Sequence, residues 1–202
     1  MTATGPVSQH PVLRSDDAFL AEPVHEETPR HQAYRYLLAL TRISLGWIFL
    51  WAFLDKTFAL GMETGKNAET GAVDRFGDAA WIHGGSPTEG FLKFGADGPF
   101  KGFYNSIGGT AFADWGFMIG LLCIGLALIF GVGMRVAATA GVVMYLLMFT
   151  VALPPANNPL IDEHILGALT LVALGLLNAG STWGLGHWWS RTEIVKSNPV
   201  LR

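Results

Sequence analysis

The chain has 202 residues, half of them hydrophobic and only 14% charged, with a net charge of −3 and a single cysteine, Cys123. Soluble domains average about 25% charged residues, so this composition does not describe an ordinary water-soluble globule. The slightly acidic balance and the absence of any Lys/Arg-rich block exclude a nucleic-acid partner; one cysteine excludes an intrachain disulfide, a CxxC pair and a cysteine metal cluster.

Residues 1–33 hold Asp16, Asp17, Glu22, Glu26 and Glu27 and lack the apolar core of a signal peptide, which predicts a disordered cytoplasmic tail. The first hydrophobic segment follows, from about Arg35 to Leu60, with Arg42, Asp55 and Lys56 inside it. Residues 61–113 are glycine-rich and carry both signs of charge. Trp81, Phe91, Phe94, Phe100, Phe103 and Tyr104 predict a folded cap there rather than a flexible linker, with short helices near Asp74–Ile82 and Pro87–Phe94.

Three long stretches without acid or base come next. Trp115 to Met134 gives 20 residues, Val136 to Ile161 gives 26, and His164 to Ser190 gives 27 with its two histidines neutral. A bilayer crossing takes about 20 apolar residues. The second helix is expected over about Asp114 to Phe130, ending at Gly131-Val132-Gly133, and the third from Arg135 to just before Pro154-Pro155. Asn158-Pro159 suits the start of the fourth, Asn as N-cap and proline at the first helical position, and that helix is expected to reach Ala179-Gly180. Gly116 and Gly120 form a GxxxG pair, and Ala137 with Gly141 repeats the spacing, as expected of close packing within one bundle.

The pattern predicts an all-α membrane protein. Its core is a four-transmembrane-helix bundle over 34–181, including an extracytoplasmic cap at 61–113 between helices 1 and 2, and a cytoplasmic tail closes the chain at 182–202. Arg14, Arg30, Arg35, Arg42, Arg135, Arg191, Lys196 and Arg202 fall on one side of that topology. The loop from Pro154 to Ile161 has no base, so the positive-inside bias places both termini in the cytoplasm of a multi-pass plasma-membrane protein.

Arg35, Arg42, Gly46, Phe49, Phe53 and Lys56 share one face of the first helix. Arg42 and Lys56 stand about 21 Å apart along it, one near each membrane boundary. Intramembrane charges usually face a bundle interior, pair with carbonyls or snorkel, and Asp55-Lys56 equally suits a neutralising pair. The same topology gathers Asp55, Lys56, Asp114, Asn157, Asn158, Asp162, Glu163 and His164 at the outer face, within reach of Trp81 and His83. Acids near a helix N-terminus also have an ordinary explanation in the macrodipole. His164 and His187 lie 23 residues apart, about 35 Å on one helix, too far to share a haem. No GxGxxG, P-loop or HExxH occurs, and nothing indicates a metal site.

Leu40 to Phe58 (LTRISLGWIFLWAFLDKTF) resembles the opening of DoxX/DoxD-type membrane proteins: an arginine, a glycine four residues on, then an apolar run ending near lysine. Gly125 to Gly141 (GLALIFGVGMRVAATAG) resembles their second signature, turning at Arg135. Arg42, Gly46, Lys56, Gly131 and Arg135 carry the match, which covers roughly residues 36–180. Asp114 lies upstream of the place where the family has an acid in the second helix. The resemblance implies a four-helix subunit of a membrane redox complex, DoxD being a subunit of a thiosulfate:quinone oxidoreductase.

The expectation is a membrane subunit of a quinone-linked redox system oxidising thiosulfate or related sulfur compounds, with no covalently bound cofactor. Lys56 and Arg42 are the candidate contacts to a small anion or quinone oxygen. Asp55, Asp162 and His164 are the candidate proton carriers, and Trp51, Trp81 and Asn158 the candidate lining of the quinone site. The alternative is a non-catalytic accessory subunit that docks a redox enzyme or respiratory complex. Solute transport fits less well, since no inverted repeat is visible.

Overall fold

The structure is a computed structural model and describes residues 29–156 and 158–201. The expected tail therefore lies outside the described residues as far as residue 28, as do Asn157 and Arg202. The chain is already helical from Pro29. The described residues are mostly helical, and their one β feature is an isolated bridge between Lys66 and Val73.

Helix α1 is Pro29–Phe58, opened by a proline whose missing N–H has no helical partner to lose. Its 30 residues extend about 45 Å. The segment after it contains short turns at Trp81–His83, Gly90–Phe94 and Gly98–Phe100, then helix α2, Lys101–Ile107. Thr110 caps α3 (Ala111–Phe130) by accepting the Ala113 N–H at 3.3 Å. The chain reverses through Gly131 and Gly133, whose φ values of 69° and 57° suit residues without a Cβ, and enters α4, Met134–Val151. Helix α5 is Glu163–Leu176; α6 (Gly186–Trp189) and α7 (Glu193–Ser197) finish the chain.

Helices α1, α3 and α4 are long and apolar enough to cross a membrane. Much of their large apolar surface points outward, including Leu37, Trp47, Ile48, Phe112, Val143 and Leu147, and an exposed surface of this kind is accommodated by lipid. Helix α5 differs from expectation. Its N-cap is Asp162, whose Oδ1 accepts the N–H groups of His164 and Ile165 at 3.0 and 3.2 Å. Asn158 instead turns the loop before it, accepting the N–H groups of Leu160 and Ile161. The helix also stops four residues short of Gly180, because Asn178 takes a left-handed φ of 48° and the chain tightens into a 3-10 turn over Ala179–Ser181. Fourteen residues give about 21 Å, less than the roughly 30 Å of a bilayer core.

Glycines set the helix registers. A Cβ added at Gly46 would stand 2.9 Å from the Ile129 N, and one at Gly125 2.8 Å from the Leu50 N, so α1 and α3 touch backbone to backbone. Gly141 receives Leu171, Gly167 lies under the Tyr145 ring, and Gly175 meets Ala138, which packs α4 antiparallel to α5. Of the GxxxG pair, Gly120 packs against Met144, whereas Gly116 faces open space. Phe49, Met118, Leu121, Leu128, Leu171 and Leu174 fill the core between these helices.

The antiparallel order gives the bundle two ends. The Lys56 end gathers the close of α1, the start of α3, the close of α4 and the start of α5. The segment between α1 and α3 folds onto it. Tyr104, buried with Ala96 against Val151, shares a hydrogen bond with Thr150 at 2.5 Å, and Trp81 meets Trp115 edge-on at 4.7 Å. The predicted helix near Asp74–Ile82 is only the turn Trp81–His83, and the one near Pro87–Phe94 is a single wide turn, Gly90–Phe94. At the Arg42 end, residues 182–201 pack back on the bundle instead of trailing. Val195 is fully buried, the Leu185 N–H meets the Phe130 carbonyl at 2.7 Å, and the Trp189 Nε1–H meets that of Leu201 at 2.6 Å.

Candidate functional site

Arg42 is fully buried near the end of the bundle where α3 closes. Its Nη1 donates to the carbonyls of Leu128 (2.6 Å) and Ile129 (3.1 Å), and its Nη2 to those of Thr182 (3.1 Å) and Trp183 (3.0 Å). Leu128 and Ile129 are among the last carbonyls of α3, which have no helical donor and carry the negative end of the macrodipole. A planar guanidinium satisfies two of them and ties in the chain after α5 with its other arm. Only Nε lacks a partner among the described residues. All four terminal N–H groups are thereby committed to backbone.

The acids of the Lys56 end are similarly engaged. Asp55, 2% exposed, accepts the N–H groups of Met62, Glu63 and Thr64 at 2.9 to 3.1 Å and so closes the turn after α1. Asp114 accepts from the Ser86 and Thr88 hydroxyls and from the Thr88 N–H, pinning the preceding segment to the first turn of α3. Neither carboxylate forms an ion pair with Lys56. The Lys56 ammonium, half-buried on the same turn as Asp55, has no hydrogen bond or ion pair among the described residues.

Asp162 and His164 form a pair. The Asp162 Oδ2 lies 2.7 Å from the His164 Nδ1, and both side chains are largely buried, at 12% and 13% exposure. Burial works against ionisation of Asp162, but the His164 ring and the N–H groups of Ile165 and His164 outweigh it and hold the carboxyl below its ordinary value. An ionised Asp162 accepts the Nδ1–H and leaves Nε2 as the exchanging nitrogen. The His164 ring meets Tyr145 edge-on at 6.0 Å, and Tyr145 in turn packs on Phe49 at 5.0 Å. A line of rings thus runs from the Asp162–His164 pair at the rim to the centre of the core.

Tyr145 was not among the sequence candidates. Its hydroxyl, like the Lys56 ammonium, has no hydrogen-bond partner among the described residues. The sequence signal was its position one turn beyond Gly141 on the same helix face, as a lone tyrosine in an aliphatic run.

The remaining candidates are spread out. Trp81 packs on Trp115 over the bundle, Trp51 pairs with Trp47 at 5.8 Å on α1, and Asn158 is exposed on its loop. His83 is exposed, 3.1 Å from the Gly77 carbonyl. His187 lies on α6, a different helix from His164, at the opposite end of the bundle. Cys123 faces outward from α3 as a free thiol. Among the described residues no three His, Cys, Asp or Glu side chains converge as for a metal ion.

No family model matches the chain, and neither a curated protein nor a solved structure does.

Proposed function

We propose that the chain is a membrane subunit of a quinone-linked redox system, with its reactive site at the Lys56 end. The observation that carries this reading is the Asp162–His164 pair. It is a buried, carboxylate-oriented imidazole placed where three uncommitted polar atoms of different helices share one end: the Lys56 Nζ on α1, the Tyr145 hydroxyl on α4 and the His164 Nε2 on α5. In this reading α5, continued by the buried Ala179 and Gly180, completes a fourth crossing. Both termini are cytoplasmic, and the folded segment over the Lys56 end is an extracytoplasmic cap in the plasma membrane.

A quinone suits these residues because its two oxygens need donors and its ring needs apolar walls; when bound, it supplies two-electron, two-proton chemistry. Lys56 holds one oxygen by its charge. His164 hands over or accepts a proton at Nε2 while Asp162 fixes its tautomer and stabilises the imidazolium. Tyr145 supports the imidazole edge. The electron donor of this proposal is thiosulfate or a related sulfur anion, attracted by the same lysine, with a protein partner in the membrane completing the complex.

A second reading has its own support. Arg42, Asp55 and Asp114, the most buried charges of the described chain, are committed to holding the fold, as in a non-catalytic subunit that docks a redox enzyme. One experiment separates the two. Protein purified in mild detergent with its partners is assayed for co-extracted quinone and for thiosulfate-dependent quinone reduction, as wild type, Lys56→Ala and His164→Gln. The catalytic reading expects bound quinone in the wild type and at least about a hundredfold loss of turnover in His164→Gln. Partners without quinone, and turnover unchanged in both variants, establish the docking reading instead.

A further inference from the structure

The later part of the segment between α1 and α3 is apolar on two sides. One side is accounted for within the protein: Tyr104 is buried with Ala96 and Val151, and Leu92 and Ile107 pack against them. The other side is not. Phe94 and Phe103 are 82% and 59% exposed, and Phe91 and Phe100 also face outward. Phe100 and Phe103, three residues apart across the start of α2, fall on one face. Aromatic surface concentrated on so short a stretch marks a contact with something apolar.

Depth decides what that is. The Tyr104 hydroxyl reaches the Thr150 hydroxyl at 2.5 Å and the Leu147 carbonyl at 3.4 Å, and Leu147 lies about 6 Å inside the Val151 end of α4. The Asp97 N–H meets the Val151 carbonyl at 3.4 Å. Gly98, with φ 68°, passes so close to the Leu153 carbonyl that a Cβ would stand 2.8 Å from its oxygen. The 18 residues of α4 span about 27 Å, close to the roughly 30 Å of a bilayer core, so the end of α4 marks a membrane boundary. Residues 97–104 lie beside that boundary, not above it. A second anchor agrees. Only Gly108, Gly109 and Thr110 separate α2 from α3, whose first turns carry the exposed Phe112 and Trp115. Tryptophan at the end of a membrane helix stands at headgroup level. Leu147 is itself exposed, so the outward phenylalanines continue a surface that suits lipid. Lys93 and Lys101 are no obstacle. Each ion-pairs with an acid four residues earlier, Glu89 at 2.8 Å and Asp97 at 3.0 Å, and a lysine stem can lift its charge into the headgroups.

We propose that residues 90–107 form an interfacial element seated in the leaflet at the Lys56 end, with Phe94, Phe100 and Phe103 among the outer ends of the acyl chains. The partner is the bilayer itself. This rests on the membrane-spanning reading of α1, α3 and α4 and is independent of the quinone site.

The test uses full-length protein in a Cys123→Ser background with one added cysteine at a time: Phe94→Cys, Phe103→Cys, Leu147→Cys or Glu69→Cys. Each is labelled with a nitroxide and reconstituted in phosphatidylcholine vesicles. Power saturation then compares collisions with oxygen, which concentrates in lipid, and with a water-soluble nickel chelate. The labels at Phe94 and Phe103 are expected about 5 to 10 Å inside the boundary, grouped with the one at Leu147. The label at Glu69, exposed elsewhere in the same segment, is open to the chelate. Labels at Phe94 and Phe103 as open to the chelate as that at Glu69 overturn the proposal. Labels shielded from oxygen and chelate alike put a protein surface, such as a second copy, on the patch and overturn it equally. Phe94 and Phe103 stand in different turns, so one carries the test should the other variant fail to fold. A Leu147 label open to the chelate removes the membrane reading and this proposal together.

Discussion

At the Arg42 end a single buried cation is held by four backbone carbonyls, and no carboxylate takes part. At the Lys56 end the arrangement reverses. Asp55 and Asp114 are buried there and Asp162 largely so, satisfied by backbone N–H groups, hydroxyls and a histidine, while Lys56 is bonded to none of them among the described residues. Charge at the first end closes the fold. At the second, the carboxylates are tied down by neutral donors and a histidine, and Lys56 feels Asp55 and Glu63 only at a distance. The contrast shows that residue type and burial alone do not tell which charges the fold has tied down; the hydrogen-bond partners of each do.

The comparison breaks most visibly at Arg42. Arg42→Met removes the donors of four buried carbonyls and is expected to cost about 3 kcal/mol or more, read as a lower unfolding temperature by circular dichroism in detergent. A midpoint within a degree or two of wild type would mean that those carbonyls are satisfied by other means. Asp162→Ala loses a helix cap and the imidazole's partner and is expected to cost about 1 kcal/mol. Because the folded state lowers the Asp162 pKa, its stabilisation is complete above the ordinary carboxylate value and fades as pH falls through the lowered one. Unfolding scans from neutral pH into that acid range should therefore show the wild type and Asp162→Asn converging as the acid limit is approached. Lys56→Gln should change stability least, by under about 0.5 kcal/mol, since no bond within the described fold is lost. A larger loss would place Lys56 with Arg42 among the structural charges.

Much of the fold was legible in the sequence. The charge-free runs located α3 and α4 within a few residues, because lipid selects against charge over a whole crossing. The start of α5 differs from the sequence reading because Asn158-Pro159 and Asp162 both offer capping chemistry; Asp162 takes the cap, and Asn158 turns the loop before it. The folded C-terminal stretch was hidden in a polar composition whose few anchors, Trp189 and Val195, look like interface residues. In the site, the depth of Arg42 in α1 allows a pairing with carbonyls, but its partners 86 to 141 residues away are not visible in the sequence. The His164–Tyr145 contact was equally out of reach, since it depends on the register between two helices that no local pattern encodes.

The Arg42 clamp also bears on how the protein is made. During synthesis α1 is made before its partners, carrying a guanidinium whose acceptors on α3 are 86 and 87 residues downstream and whose last acceptors are 140 and 141 residues downstream. Until those segments arrive, the arginine is exposed to lipid with nothing to bond, a position it can hold only by reaching toward the headgroups. Biogenesis thus has a built-in order, in which the C-terminal stretch closes last. A chain truncated before Thr182 would reach the bilayer with its first helix still unsettled, a natural mark for quality-control proteolysis.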